Sequence, residues 1–240
     1  ALSSAASDVY KRQYKDNKSN SENAENQATA QTNQTITDLR MEIVSYDTIN
    51  PLISNNRNVQ EITKLIFEPL LQLDENYKLQ PCLATEWAKS GDTSYILKLR
   101  SNVKWQDGTS FTAQDVKYTI ETLKQINSIY SYNVQHIASV DIIDNYSIRI
   151  NLDTIIPFFE YNLIFPIVSS TYFAGQDIQN TDKNATPIGT GMYKIESNST
   201  STVVLKKNTS WWNISEKNAK VDTINVNKYL SLIHISEPTR

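Results

Sequence analysis

The 240-residue chain reads as a mixed α/β protein with β-rich connections. Three stretches predict this. In "SYILKLR", Tyr95, Leu97 and Leu99 alternate with polar partners, the period-two pattern of a half-buried strand. In "NVQEITKLIFEPL", Val59, Ile62, Leu65 and Ile66 recur at helical spacing, and Pro69 ends the run. In "VDIIDNYSIRINL", Asp144-Asn145 reads as the turn of a hairpin, with Tyr146, Ile148, Ile150 and Leu152 on one face.

Residues 1–13 and 230–240 break from their surroundings. Translated back into codons, "SSAASDVYKRQ" (Ser3 to Gln13) and "LSLIHISEPTR" (Leu230 to Arg240) resemble the two arms of a transposase sequencing adapter read in frame. Both ends are set aside as non-native, as fusion scars are, which removes His234 and Glu237 from consideration. Residues 14–37 are rich in Asn, Ser, Gln and Thr and nearly free of apolar side chains. Such a segment cannot bury enough surface to offset its ordering entropy, so a disordered polar tether is expected there. The folded region is expected over 38–229, opening with a strand in "LRMEIVSYD" and closing with a hairpin in "MYKIESNSTSTVVLKKN". The apolar run Ile155 to Val168 is too short for a membrane span of about 20 residues. It carries Glu160 and two prolines, and it reads as buried core.

The formal net charge of −3, with no basic stripe, argues against a nucleic-acid partner. A single cysteine, Cys82, excludes an internal disulfide and a Cys-rich metal site, and its setting reads as a small buried side chain. His136 is the one histidine outside the adapter-like tail, and a lone histidine does not make a metal site. No cofactor and no metal is expected.

"WQDGTSFTAQDV" places Asp107 and Asp115 beside Trp105 and raises the question of a catalytic pair. Local chemistry gives each carboxylate another task. Asp107-Gly108 is a tight-turn dipeptide, with Gly108 supplying positive φ. Thr112 opens T-x-x-D, a relative of the capping box that puts Asp115 in the first turn of a helix continued by Val116, Ile120 and Leu123.

The segment Pro81 to Leu123 then resembles the signature region of the family 5 extracellular solute-binding proteins. These are the oligopeptide-, dipeptide- and nickel-binding components of ABC importers. The matching residues are Pro81, Leu83-Ala84, Trp87, Leu99-Arg100, Asp107-Gly108-Thr109 and Asp115-Val116. Three further matches follow in order: Asn50 to Asp74, Pro187 to Ser197 ("PIGTGMYKIES") and Leu205 to Asn213 ("LKKNTSWWN"). Cys82 and Trp211 depart mildly from the family pattern. The resemblance implies a periplasmic-binding-protein-like fold of cluster C. Residues 38–229 would be an incomplete lobe one with its extra subdomain, and lobe two would be absent. It also implies a monomer that captures a dipeptide or oligopeptide for ABC permease subunits and performs no catalysis. Its place would be the periplasm or the extracellular face of the cytoplasmic membrane, and its only membrane attachment a lipid anchor upstream of this sequence.

By the same resemblance, three segments face the ligand. The first is Tyr46, Asp47 and Thr48, where Asp47 is either a counter-charge for a cationic ligand terminus or a brace for the turn before Asn50-Pro51. The second is Tyr130 and Tyr132, with ligand stacking set against a role in the subdomain core. The third is Gly189, Thr190 and Gly191, which either let a backbone approach or only turn the chain. Trp87, Trp105, Trp211 and Trp212 read as packing rather than as a sugar platform. Two other functions compete with peptide capture: a secreted hydrolase using Asp107 and Asp115, and a cell-surface adhesion module.

Overall fold

Alternating burial along short strands builds two four-stranded sheets and one small ribbon. The computed structural model describes residues 37–229. The adapter-like ends and the polar tract up to residue 36 lie outside the described residues.

The first sheet has the order β1 (Asp38–Val44), β10 (Thr223–Tyr229), β9 (Thr202–Lys207), β8 (Tyr193–Asn198). β1 and β10 run parallel, with Asp38 opposite Thr223 and Val44 opposite Tyr229. β10–β9 and β9–β8 are antiparallel, and Ser199 to Ser201 close the β8–β9 hairpin. The inward face carries Val203, Leu205, Ile224 and Val226, all buried. On β1 only Ile43 is buried, so this edge strand is lightly covered.

The second sheet is antiparallel throughout, in the order β4 (Ala84–Lys89), β5 (Ser94–Leu99), β7 (Ser147–Leu152), β6 (Ile137–Asp144). Tyr95, Leu97 and Leu99 of β5 meet Ile148 and Ile150 of β7 on the buried face, which is the alternation expected. The β6–β7 turn is Asn145-Tyr146, between the paired Asp144 and Ser147, one residue later than the sequence suggests. A third, two-stranded sheet pairs β2 (Leu71–Leu73) with β3 (Leu79–Pro81).

Three α-helices lie among the described residues: α1 (Arg57–Thr63), α2 (Ala113–Gln125) and α3 (Ser131–Val134). α2 packs on β6 and buries Val116, Ile120 and Leu123. Its first turn is held as T-x-x-D predicts, with the Asp115 carboxylate accepting the Thr112 N–H at 2.9 Å. α1 stops at Thr63, six residues before Pro69. The periodicity of Leu65 and Ile66 fails there because their carbonyls are taken from outside: Tyr193 N–H donates to Leu65 O at 2.9 Å and Gly191 N–H to Ile66 O at 2.8 Å. A tertiary partner has replaced the helix's own hydrogen bonds.

The apolar run from Ile155 to Val168 is buried only in part. Phe159, Leu163, Phe165, Ile167 and Val168 enter the core. Ile155 and Phe158 stand in solvent, Phe158 at 74% exposure with φ of 55°. Phe158 takes a left-handed backbone just before the 3₁₀ turn Phe159–Asn162, and it faces out while Phe159 is buried. No helix among the described residues is long and apolar enough to cross a membrane.

Candidate ligand-binding cavity

The segment "LIFEPLL" sets one acid, Glu68, inside an apolar run. A carboxylate so placed must find donors or lose several kcal/mol of solvation. Glu68 finds three, all more than 100 residues away in sequence. Its Oε1 accepts the Trp211 indole N–H at 3.0 Å. Its Oε2 accepts the Trp212 indole N–H at 2.8 Å and the Thr190 hydroxyl at 2.8 Å. The Arg100 guanidinium lies 4.2 Å from the centre of the Trp212 ring, and its Nε donates to the Cys82 carbonyl. Burial raises the Glu68 carboxyl above its ordinary range, while the three donors and the Arg100 charge pull it back in part.

This knot forms one wall of a cavity of about 430 Å³, within the range typical of small-molecule sites. Phe67, Leu71, Ile164 and Met192 make much of the remaining wall apolar. Gln72 and Asn213 add amides, and Lys64 and Lys217 bring ammonium groups. Cys82 also lines it, but the thiol is buried and its ionisation is pushed far up by burial first and by Glu68 second. That thiol is no nucleophile at neutral pH.

The eight residues expected to face ligand are divided by the structure. Tyr130 and Gly191 line the cavity. The Tyr130 hydroxyl donates to Gln60 Oε1 at 2.9 Å, and burial raises its phenol to about 12. Thr190 is fully buried behind the wall, where it holds Glu68. Gly189 packs against backbone: a Cβ there would stand 1.8 Å from the Ile66 carbonyl oxygen, so only glycine fits. Tyr132 is 74% exposed beside a shallower hollow formed with Leu123 and Val134. Tyr46, Asp47 and Thr48 lie past the carboxyl end of β1, outside the cavity lining. Asp47 accepts from Thr48 N–H, Asn55 N–H and the Ser54 hydroxyl, so it braces its own loop. The Tyr46 ring lies under the Lys228 ammonium at 3.9 Å.

Asp107 and Asp115 do not form a dyad. Asp115 is 2% exposed, and its two oxygens accept four hydrogen bonds, from Thr112 N–H, the Trp105 indole, Ser170 N–H and the Ser170 hydroxyl. Asp107 is exposed and accepts from Thr109 N–H and its hydroxyl, with Gly108 at φ of 89°. Neither carboxylate lines the cavity. Among the described residues no group of three His, Cys, Asp or Glu side chains is arranged to hold a metal ion.

Sequence reasoning missed Glu68 and treated Arg100 only as a motif residue. The signal for Glu68 was available, since a lone acid inside an apolar run needs donors from elsewhere in the fold.

The mixed α/β architecture is that of a periplasmic-binding-protein-like fold. Residues 78–231 match the model of the bacterial extracellular solute-binding proteins, family 5 middle, and the chain belongs to that family. It is similar to the glutathione-binding protein GsiB of Escherichia coli strain K12, 30% identical over 172 residues, which are 70% of this chain and 34% of that protein. The chain thus spans about a third of the length of the curated relatives it matches. Among solved structures it is similar to NikZ from Campylobacter jejuni in complex with Ni(L-His), with a TM-score of 0.71 and 28% identity, over 82% of this chain and 40% of that one. It is also similar to the ABC transporter substrate-binding protein CtaP from Listeria monocytogenes, with a TM-score of 0.70 and 25% identity, over 81% of this chain and 41% of that one.

Proposed function

We propose that this protein is the solute-capturing component of an ABC importer and that its solute is a short peptide. In this reading residues 38–229 form lobe one and its subdomain, and the ligand is enclosed against a second lobe. The loaded protein then docks on a membrane permease outside the cytoplasm, held near it by a lipid anchor. The observation that carries the reading is the cavity beside Glu68, apolar and aromatic over much of its wall, with amides and ammonium groups at a few points. That lining suits a ligand offering both side chains and polar backbone. Relatives described as binding glutathione, and a solved oligopeptide-binding protein in complex with a nonapeptide, are consistent with a peptide.

Tyr130 and Gly191 are the ligand contacts favoured by position, with Trp212 beside them. Thr190 and Gly189 act from behind the wall, and Tyr46, Asp47 and Thr48 would reach ligand only where it extends past the end of β1.

Calorimetry against a library of dipeptides to pentapeptides tests this. Saturable binding near a micromolar Kd, about −8 kcal/mol, with every peptide recovered uncleaved, is the expected outcome. Peptide cleavage, or the absence of binding across the library, overturns it.

A further inference from the structure

The charges around the cavity narrow the chemistry of its ligand. Glu68 is the only acid among the lining residues, and both of its oxygens are already occupied by Trp211, Trp212 and Thr190. It is nearly inaccessible, at 8% exposure, so it offers no acceptor to an incoming ammonium group. The lining cations are Lys64 and Lys217. Lys64 is shared with Glu61, at 2.8 and 2.9 Å. Lys217 is exposed and makes no salt bridge among the described residues. The charge available to a ligand here is therefore positive, and the surface beside it is apolar.

We infer that this cavity receives the carboxylate end of its ligand, with an apolar or aromatic side chain laid against Phe67, Leu71, Ile164 and Trp212, and that Lys217 is the specificity-determining cation. The inference rests on solute capture being the function. An ammonium at the end of a four-carbon stem reaches a carboxylate without a preset geometry. Because Lys217 is exposed, the attraction is that of a solvent-screened surface pair, modest and salt-sensitive. The amino end of the same ligand is repelled by both lysines and points out of the cavity.

The test titrates the 240-residue chain with Ala-Phe, with Ala-Phe amide, and with 3-phenylpropionate, read by calorimetry and tryptophan fluorescence. Ala-Phe should bind about tenfold more tightly than its amide, an advantage that shrinks as salt rises. Lys217→Met should cost the free acid about fivefold and leave the amide unchanged, while Lys217→Arg restores the acid. Equal binding of acid and amide, or equal losses in Lys217→Met, overturns the inference and leaves peptide capture standing. If neither peptide binds but 3-phenylpropionate does, with the same dependence on Lys217, the carboxylate site stands and peptide capture falls. If no probe binds, the carboxylate site is overturned.

Discussion

Two buried carboxylates in this molecule do similar work by different routes. Asp115 and Glu68 each accept indole N–H groups, and each is almost fully shielded from water. Asp115 draws its donors from its own helix start, from the turn ten residues back and from Ser170. Glu68 draws every side-chain donor from the distant Gly-Thr-Gly loop and the Trp211-Trp212 turn. The first fastens the start of α2. The second ties its own segment to two remote ones in one wall of a cavity. Asp115, with half of its bonds from its own helix start and the turn before it, braces an element, whereas Glu68, with only remote side-chain donors, walls a cavity.

Replacing Glu68 should have the largest effect. Glu68→Ala leaves two indoles and one hydroxyl without an acceptor and should cost about 3–5 kcal/mol in urea unfolding. Asp115→Ala should cost less, about 2–3 kcal/mol, because three of its four bonds come from the half-buried Thr112 and Ser170, whose freed donors can turn to solvent, whereas Thr190 and Trp211 are buried. A larger loss for Asp115→Ala would reverse the comparison.

The pH dependence sharpens it. Burial raises the folded carboxyl of Glu68 above its ordinary value of 4.5. The native state therefore holds that proton more tightly than the unfolded chain does. The associated stabilisation is complete below the ordinary value and is lost as pH rises through the folded one. Thermal melts of the protein against Glu68→Gln should show the wild type gaining relative stability from pH 7 downward. A gain in the opposite direction contradicts the assignment.

The smallest effect belongs to the exposed acid. Asp107→Ala removes only local turn bonds and should change stability by no more than about 0.5–1 kcal/mol, with peptide affinity unchanged. A collapse of affinity in that variant would return Asp107 to the functional residues.

The same contrast explains what the sequence could disclose. Thr112 and Asp115 announced a helix start because capping is a local code, and β5 and β7 were legible because alternation of Tyr95, Leu97, Ile148 and Ile150 is local too. The end of α1 was not legible. The Leu65 and Ile66 carbonyls leave helical bonding for partners at Gly191 and Tyr193, more than 120 residues away. Ile155 and Phe158 misled as core residues because apolar character says nothing about direction where the chain turns through 3₁₀ bonds. The site followed the same rule. Tyr130 and Gly191 were named from motif position, whereas Glu68 gains its meaning only from donors that the fold delivers.

The proposed entry of solute into the cavity walled by Trp212 and Glu68 can be followed directly. The molecule carries four indoles that serve as reporters. Trp211 and Trp212 line this cavity, Trp87 lines a separate hollow beside Ile155 and Phe158, and Trp105 is sealed against Asp115. Two-dimensional NMR of the four indole N–H signals during titration with a mixed tripeptide pool is the direct measurement. The signals of Trp211 and Trp212 should move in a saturable way while those of Trp87 and Trp105 stay fixed. Movement confined to Trp87 or Trp105 would contradict the account.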